Sequence, residues 1–434
     1  MNKMDRIKIA VKDLEDKVIA YRRDFHKYPE SGWTEFRTAS KIIEKLKELG
    51  FTVKIGAQAN KKEAMMGVPT EEELAKHMER AINQGANPEL VKAMEGGMTG
   101  VVADLKCGEG PTVALRFDID ANDINEAQDE KHRPYREGFA SQNPGVMHAC
   151  GHDGHAAMGL GVAEILAGMK DDLKGTIRLI FEPGEEGSRG ARAMVEAGAV
   201  DGVDYILGAH LGFQAKKSGQ LICGTGEFLA TTKLDVTYTG VPAHAGAAPH
   251  EGRNALLAAA SATLNLHAIA RHGAGASRIT VGVLNAGQGR NVIPPNAVFK
   301  METRGITSEI DEYMAREAYR IIEHTAKMYG VDYEIKLVGG TKSGESSPEM
   351  IQKIRKVAEE MGAFNEIIDY SSFGATEDFS HFMTVVQNNG GIGSYIMIGS
   401  DLAAGHHDFY FDFDEKSLAS GMELMVKMVV DLIG

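Results

Sequence analysis

TVALRFDIDAND (residues 112–123) and TIRLIFEPGEEG (176–187) set the architecture of this chain. Each opens with an apolar run too short for a helix. Each closes on carboxylates, Asp118 and Asp120 in the first, Glu182, Glu185 and Glu186 in the second. VVADL (101–105), YILGAH (205–210) and SYIMIG (394–399) are runs of the same kind, and YILGAH ends on His210. Helical patterns lie between them, notably HAAMGLGVAEILAGM (155–169) and SRGARAMVEAG (188–198). That alternation predicts an α/β fold with a mostly parallel central sheet flanked by helices. Ligands of open α/β sheets bind beyond the carboxyl ends of the strands, so the ionisable residues there are expected to converge on one site.

Upstream of these runs, the first 50 residues predict two amphipathic helices, the second carrying Phe36, Ala39, Ile42, Ile43, Leu46 and Leu49 up to Gly50. From about 56 to 98 the text turns polar and helix-prone, which reads as a helical insertion without a core of its own. Between 227 and 340 the order becomes strand, helix, strand, strand, helix, strand, the split βαβ pattern of a ferredoxin-like α+β unit. The expected organisation is a first domain from 1–226 and 341–434, interrupted by a second at 227–340.

Composition narrows the function. The chain has 434 residues, 43% of them hydrophobic and 25% charged, as in globular proteins. Its formal charge of −14 repels phosphate backbones and anionic lipid, so neither nucleic acid nor membrane is an expected partner. Three cysteines in a chain this long cannot form a disulfide framework. Charges run through the first 25 residues, unlike the apolar core of a signal peptide, and a cytoplasmic protein is the expectation.

The densest chemistry is HACGHDGH, with His148, Cys150, His152, Asp153 and His155 just before a helix. At a spacing of two in extended chain, Cys150 and His152 point to one side and can reach one metal ion. The bland alternative is a helix cap with loop histidines, and the carboxylates at neighbouring strand ends weigh against it. Adjacent carboxylates off a strand diverge, so one of Glu185 and Glu186 can bind a metal while the other takes a proton from water. His210 and the pair His406 and His407 complete a set of thiolate, imidazole and carboxylate suited to zinc, manganese or a related divalent ion. Five side chains exceed the needs of one catalytic metal, so two ions are expected; the softness of a thiolate favours Zn2+, while availability favours Mn2+. A Cys150 nucleophile is the rival scheme, but it leaves the glutamate doublet without a role.

In order along the chain, RRDFHKYPESG, LRFDIDA, HACGHDGHAAM, FEPGEEGSRGARAMVEAGA, GAHLG, AHAGAAPHEGRNAL, GRNVIPPNA, ETRG and HHDFYFDFDE resemble the metal-dependent amidohydrolase and aminoacylase family that includes carboxypeptidase G. The resemblance implies a di-metal, aminopeptidase-like catalytic domain with an inserted lid and dimerisation domain, acting on the amide bond of N-acyl or N-aroyl amino acids. It implies metal ligands Cys150, His152, Glu186, His210 and His407, the last because Phe411 and Glu415 follow it at the family's intervals of four and eight. It also implies Mn2+, which is the first expectation, with Zn2+ as the alternative. Glu185 becomes the general base and Asp120 a residue that orients the site. His244, which polarises the scissile carbonyl, and Asn291 are implied to reach the partner's site, in a homodimer or with a homologous subunit. Arg304 is implied to grip the substrate's free carboxylate, although strand alternation also puts it on the same face as Glu302. The chain departs from the family's pattern at Asn122 and at Asp408–Phe409.

Overall fold

The computed structural model describes residues 3–434; Met1 and Asn2, the start of the expected first domain, lie outside the described residues. The chain forms two compact units, one made of the residues up to Gly226 with Gly344–Phe373 and Asp378–Gly434, the other of Glu227–Ser343 with Gly374–Glu377. The strands in chain order are β1 (Thr52–Lys54), β2 (Val101–Lys106), β3 (Thr112–Asp118), β4 (Thr176–Glu182), β5 (Tyr205–Leu211), β6 (Gln220–Ile222), β7 (Thr225–Gly226), β8 (Ala230–Thr239), β9 (Ser277–Ala286), β10 (Asn296–Gly305), β11 (Asp332–Thr341), β12 (Glu366–Ile368), β13 (Ser371–Ser372) and β14 (Ile392–Ile398).

The first unit is built on a sheet of order β1-β2-β4-β3-β5-β14-β6-β12. Its centre, β4-β3-β5-β14, is parallel throughout. These are the apolar runs quoted above. In β3 every residue from Val113 to Asp118 is buried, as expected of a strand covered on both faces. Antiparallel pairings occur only towards the edges, β2 with β4, β1 with β2 and β6 with β14. The helices His152–Gly168 and Ser417–Ile433 pack on the sheet's central strands and on each other, and Lys3–Lys27 lies against both of them. The helix His152–Gly168 is buried nearly all round. Gly159 lets it lie flat on the strands, since a Cβ there would sit 2.8 Å from the Phe117 ring and 2.7 Å from that of Phe181.

Residues 56–98 contain the helices Glu71–Asn83 and Pro88–Ala93. Thr70 and Glu73 close a capping box on the first. Leu74, Ala81, Leu90, Val91 and Met94 join the core of the first unit. The predicted helix over 188–198 is shorter than expected, Ala191–Glu196. Gly184, Gly187 and Ser188 all take positive φ, so the chain is still turning after the glutamate doublet and turns helical only where Asp378 accepts from the N–H groups of Gly190 and Ala191.

The second unit has the order β11-β8-β10-β9, antiparallel at every pairing. In order of appearance that is 4-1-3-2, a ferredoxin-like sheet. Alternation along β10 turns Ala297, Phe299, Met301 and Thr303 inward. They meet the helices Ala255–His267 and Ser308–Tyr329 in a core with Leu234, Val236, Tyr238, Met314 and Ile322. Buried polar groups in it are paired: the Tyr238 hydroxyl donates to the Ile322 carbonyl (2.7 Å), and the Thr303 hydroxyl to Asp311 (2.7 Å). Among the described residues no helix is long and apolar enough to cross a membrane.

Candidate metal centre

Strands β3, β4 and β5 end side by side, and the parallel register sets Asp118 opposite Glu182. Ile119 then donates to the Glu182 carbonyl (2.9 Å), so LRFDIDA and FEPGEEG leave the sheet together. The HACGH loop is tied to the same place by mutual backbone hydrogen bonds between Asn122 and Met147 and by the Ala149 N–H donating to Asn122 Oδ1 (3.1 Å). Gly151 at φ 93° turns the chain into the helix, so that His152 is its first residue.

The ligand atoms of Cys150, His152 and His210 lie within 4.8 Å of one another, as do those of Cys150, Glu186 and His407 and those of His152, Glu185 and Glu186. Cys150 Sγ is 3.4 Å from His210 Nε2, and His407 Nε2 is 3.2 Å from Glu186 Oε1. Carbonyl acceptors settle the tautomers. His210 Nδ1 faces the Leu211 carbonyl at 2.8 Å and His152 Nδ1 the Asp120 carbonyl at 3.0 Å, so each Nδ1 carries the proton and each Nε2 lone pair faces the cluster. Asp120 is fully buried; its Oδ1 is 3.2 Å from His152 Nδ1, and its Oδ2 accepts from the Glu186 N–H at 3.0 Å.

The electrostatics favour a cation. His152 Nε2 is buried with no hydrogen-bond partner among the described residues, and the carboxylate oxygens of Asp118 (3.7 Å) and Glu185 (3.9 Å) stand off it. Burial alone would push the His152 imidazole down, yet Asp118, Asp120 and Glu186 overcome it and push it up to about 10, so a positive charge is favoured at Nε2: a proton, or a metal ion that displaces that proton and takes the lone pair. Burial likewise opposes the charge on Glu186, but His407 and His152 push its carboxyl down to about 2. Burial, with His155 and His406 nearby, holds His210 well below the usual imidazole range and therefore neutral. A buried imidazole nitrogen aimed at carboxylates and a thiol is a set that fits a divalent metal ion.

The two adjacent histidines part company. His407, at φ 65°, reaches Glu186; His406 stacks on Phe213 (4.1 Å between centroids, 12°), and its Nε2 contacts the Leu211 carbonyl at 3.1 Å. Three of the expected residues belong to the second unit. His244 is exposed there and its Nδ1 accepts from the N–H groups of Gly246 and Ala247 (3.1 Å each), which leaves the ring proton on Nε2. Asn291 is exposed beside it, and its carbonyl accepts from the Ala245 N–H at 3.0 Å. Arg304 is two-pronged on Glu302, through Nε at 2.8 Å and Nη2 at 3.2 Å, the same-face pairing that alternation predicts.

Two supports escaped the reading of the sequence. Arg116, fully buried, joins Asp118, Glu182 and Asp378. Glu35, also fully buried, accepts from the Gly184 N–H (2.9 Å) and the Thr99 hydroxyl (2.6 Å), and burial with Asp120 nearby pushes its carboxyl up to about 8. An arginine inside an apolar strand was the one available signal for the first.

Fold and site define the class. Residues 114–431 match the description of peptidase family M20/M25/M40; the chain belongs to that family and is a hydrolase of amide bonds. At closer range it is similar to indole-3-acetyl-aspartic acid hydrolase of Enterobacter agglomerans, 49% identical over 96% of this chain and 95% of that one. It is also similar to the A subunit of p-aminobenzoyl-glutamate hydrolase of Escherichia coli, 47% identical over 99% and 98%. The crystal structure of aminobenzoyl-glutamate utilization protein from Klebsiella pneumoniae superposes with a TM-score of 0.86 at 39% identity, covering 99% of this chain and 98% of that one.

Proposed function

We propose that the chain hydrolyses amides formed between an aromatic carboxylic acid and an acidic amino acid, with p-aminobenzoyl-glutamate, cleaved to p-aminobenzoate and glutamate, as the leading substrate. The observation that carries this is the convergence of Glu185 and Glu186 with Cys150, His152, His210 and His407. The choice of substrate is supported by the names of the two relatives, each of which pairs an aromatic acyl group with aspartate or glutamate.

In this proposal Cys150, His152, Glu186, His210 and His407 hold two divalent ions, Mn2+ in preference to Zn2+. The chemistry such ions supply is polarisation of a carbonyl and a lower pKa for water. Glu185 takes the proton from the attacking water and returns it to the leaving nitrogen. His244, its ring proton on Nε2, donates to the carbonyl oxygen as charge builds there. Asn291 acts beside it, and Arg304 holds the substrate's carboxylate with its planar fork. His244 and Asn291 are proposed to serve the site of a second chain in a dimer, and the cytoplasm is proposed as the compartment because a thiolate ligand survives where thiols stay reduced.

A second reading is favoured by the Escherichia coli relative, which is named as one subunit of its enzyme: the chain works only beside a homologous second chain. Assaying the purified chain alone with Mn2+ against p-aminobenzoyl-glutamate separates the two. Turnover is expected, and Glu185→Gln is expected to lower it by roughly 10²–10⁴ with metal still bound. A Glu185→Gln enzyme that retained its turnover would remove the general-base role, and a chain active only with an added partner would favour the second reading.

A further inference from the structure

His155 closes the HACGHDGH motif, and its ring lies close to the metal centre without joining it. Its Nδ1 is 2.6 Å from Asp118 Oδ1, and its Nε2 accepts from the Leu211 N–H at 3.0 Å. A backbone N–H can only donate, so the Nδ1 of the neutral ring carries the proton and gives it to the carboxylate. Both nitrogens are thereby used, although the ring also falls within ligand distance of Asp118 and His152. Leu211 is the hub of the arrangement. Its carbonyl accepts from His210 Nδ1 (2.8 Å), the bond that turns His210 Nε2 towards Cys150. It also accepts from His406 Nε2 (3.1 Å), which leaves His407 as the histidine at the cluster. Asp118 is itself held by Arg116 Nη1 at 2.7 Å. All of these groups except His406 and His407 are buried.

We infer that His155, anchored on Asp118, is a positioning residue that fixes His210 through the backbone of Leu211. The inference rests on the reading of His210 as a metal ligand. It differs from the usual carboxylate–histidine–metal arrangement, in which the outer group touches the ligand's own ring. Here the outer pair grips the N–H of the next residue, and the carbonyl of that residue grips the ring. Losing His155 frees Leu211 to shift, and with it both the orientation and the tautomer of His210.

The test measures the dissociation constant of Mn2+, without substrate, by competition with a fluorescent chelator, in the full chain and in His155→Leu, His155→Gln and His210→Ala. Gln can accept from Leu211 through Oε1 and donate to Asp118 through Nε2, so His155→Gln is expected to bind close to the unchanged protein. His155→Leu is expected to bind roughly 10–100-fold more weakly, the usual cost of losing an outer-shell partner. Unchanged affinity in His155→Leu beside weakened affinity in His210→Ala would overturn the positioning role, and so would equal losses in His155→Leu and His155→Gln. Unchanged affinity in His210→Ala would instead show that the ligand reading had failed. Should His155→Leu not fold, the ring tautomers of the unchanged protein decide: 1H–15N correlations are expected to show His155 and His210 both protonated at Nδ1, and a proton on Nε2 of either would overturn the inference.

Discussion

Replacing Asp120 by asparagine changes one atom and one charge at the point where two ligand-bearing segments meet. Asp120 Oδ1 faces His152 Nδ1 at 3.2 Å and Oδ2 accepts from the Glu186 N–H at 3.0 Å. Asparagine has one oxygen for these two donors. If its NH2 turns to His152, a donor is set against the Nδ1–H that the Asp120 carbonyl also holds, and the ring is pushed out of line with the cluster. If it turns to Glu186, a buried N–H is left without an acceptor. Either loss costs about 1–3 kcal/mol, which at 1.4 kcal/mol per decade weakens metal binding by roughly 5–150-fold. The lost negative charge acts in the same direction. Titration of apo protein with Mn2+ is therefore expected to show a weaker dissociation constant in Asp120→Asn, with kcat/KM largely restored by excess metal. Equal Mn2+ affinity in the two proteins would refute the argument that Asp120 sets the ligand geometry.

Three further outcomes are expected. His26 lies buried between Asp153 (2.7 Å) and Glu126 (2.8 Å); burial and Arg22 push its imidazole down, but the two carboxylates prevail and push it up to about 9. A folded-state value above the unfolded 6.5 stabilises the protein fully below pH 6.5 and ceases to do so as pH rises through 9, a loss of about 3 kcal/mol that urea unfolding of the unchanged protein should show and His26→Gln should lack. Arg304→Lys should lower kcat/KM for p-aminobenzoyl-glutamate steeply and stability by no more than ~1 kcal/mol, since its pair with Glu302 is about a third exposed; equal rates on the substrate and on its α-carboxamide would show that Arg304 does not read the carboxylate. Gly159→Ala should lower the melting temperature, because overpacking against Phe117 and Phe181 costs about 1–3 kcal/mol against ~1 kcal/mol of helix propensity regained, and an unchanged Tm would mean the helix can lift off the sheet.

Whatever depends on neighbours along the chain was legible in the residues alone. Apolar runs such as TVALRF and TIRLIF can be buried on both faces only as central strands, and their parallel pairing puts Asp118, Glu182 and His210 at one end of the sheet. The order of strands and helices in 230–341 was legible for the same reason, as was the pairing of Arg304 with Glu302, two residues apart on one strand. Whatever depends on groups distant in sequence had to wait for the folded chain. Residue type does not separate His406 from His407, and only the family's intervals to Phe411 and Glu415 pointed to the second; in the fold one stacks on Phe213 and the other meets Glu186 because the Leu211 carbonyl, nearly two hundred residues earlier, takes the first. Which nitrogen of His152 carries its proton is set by Asp120, and how Arg116 is tolerated in an apolar strand is set by Glu182 and Asp378. The helix after the glutamate doublet begins late because its first N–H groups wait for Asp378. Local spacing encodes burial and direction, whereas a tautomer, an ion-pair partner or a cap is chosen by whichever polar group the completed fold brings within hydrogen-bond reach.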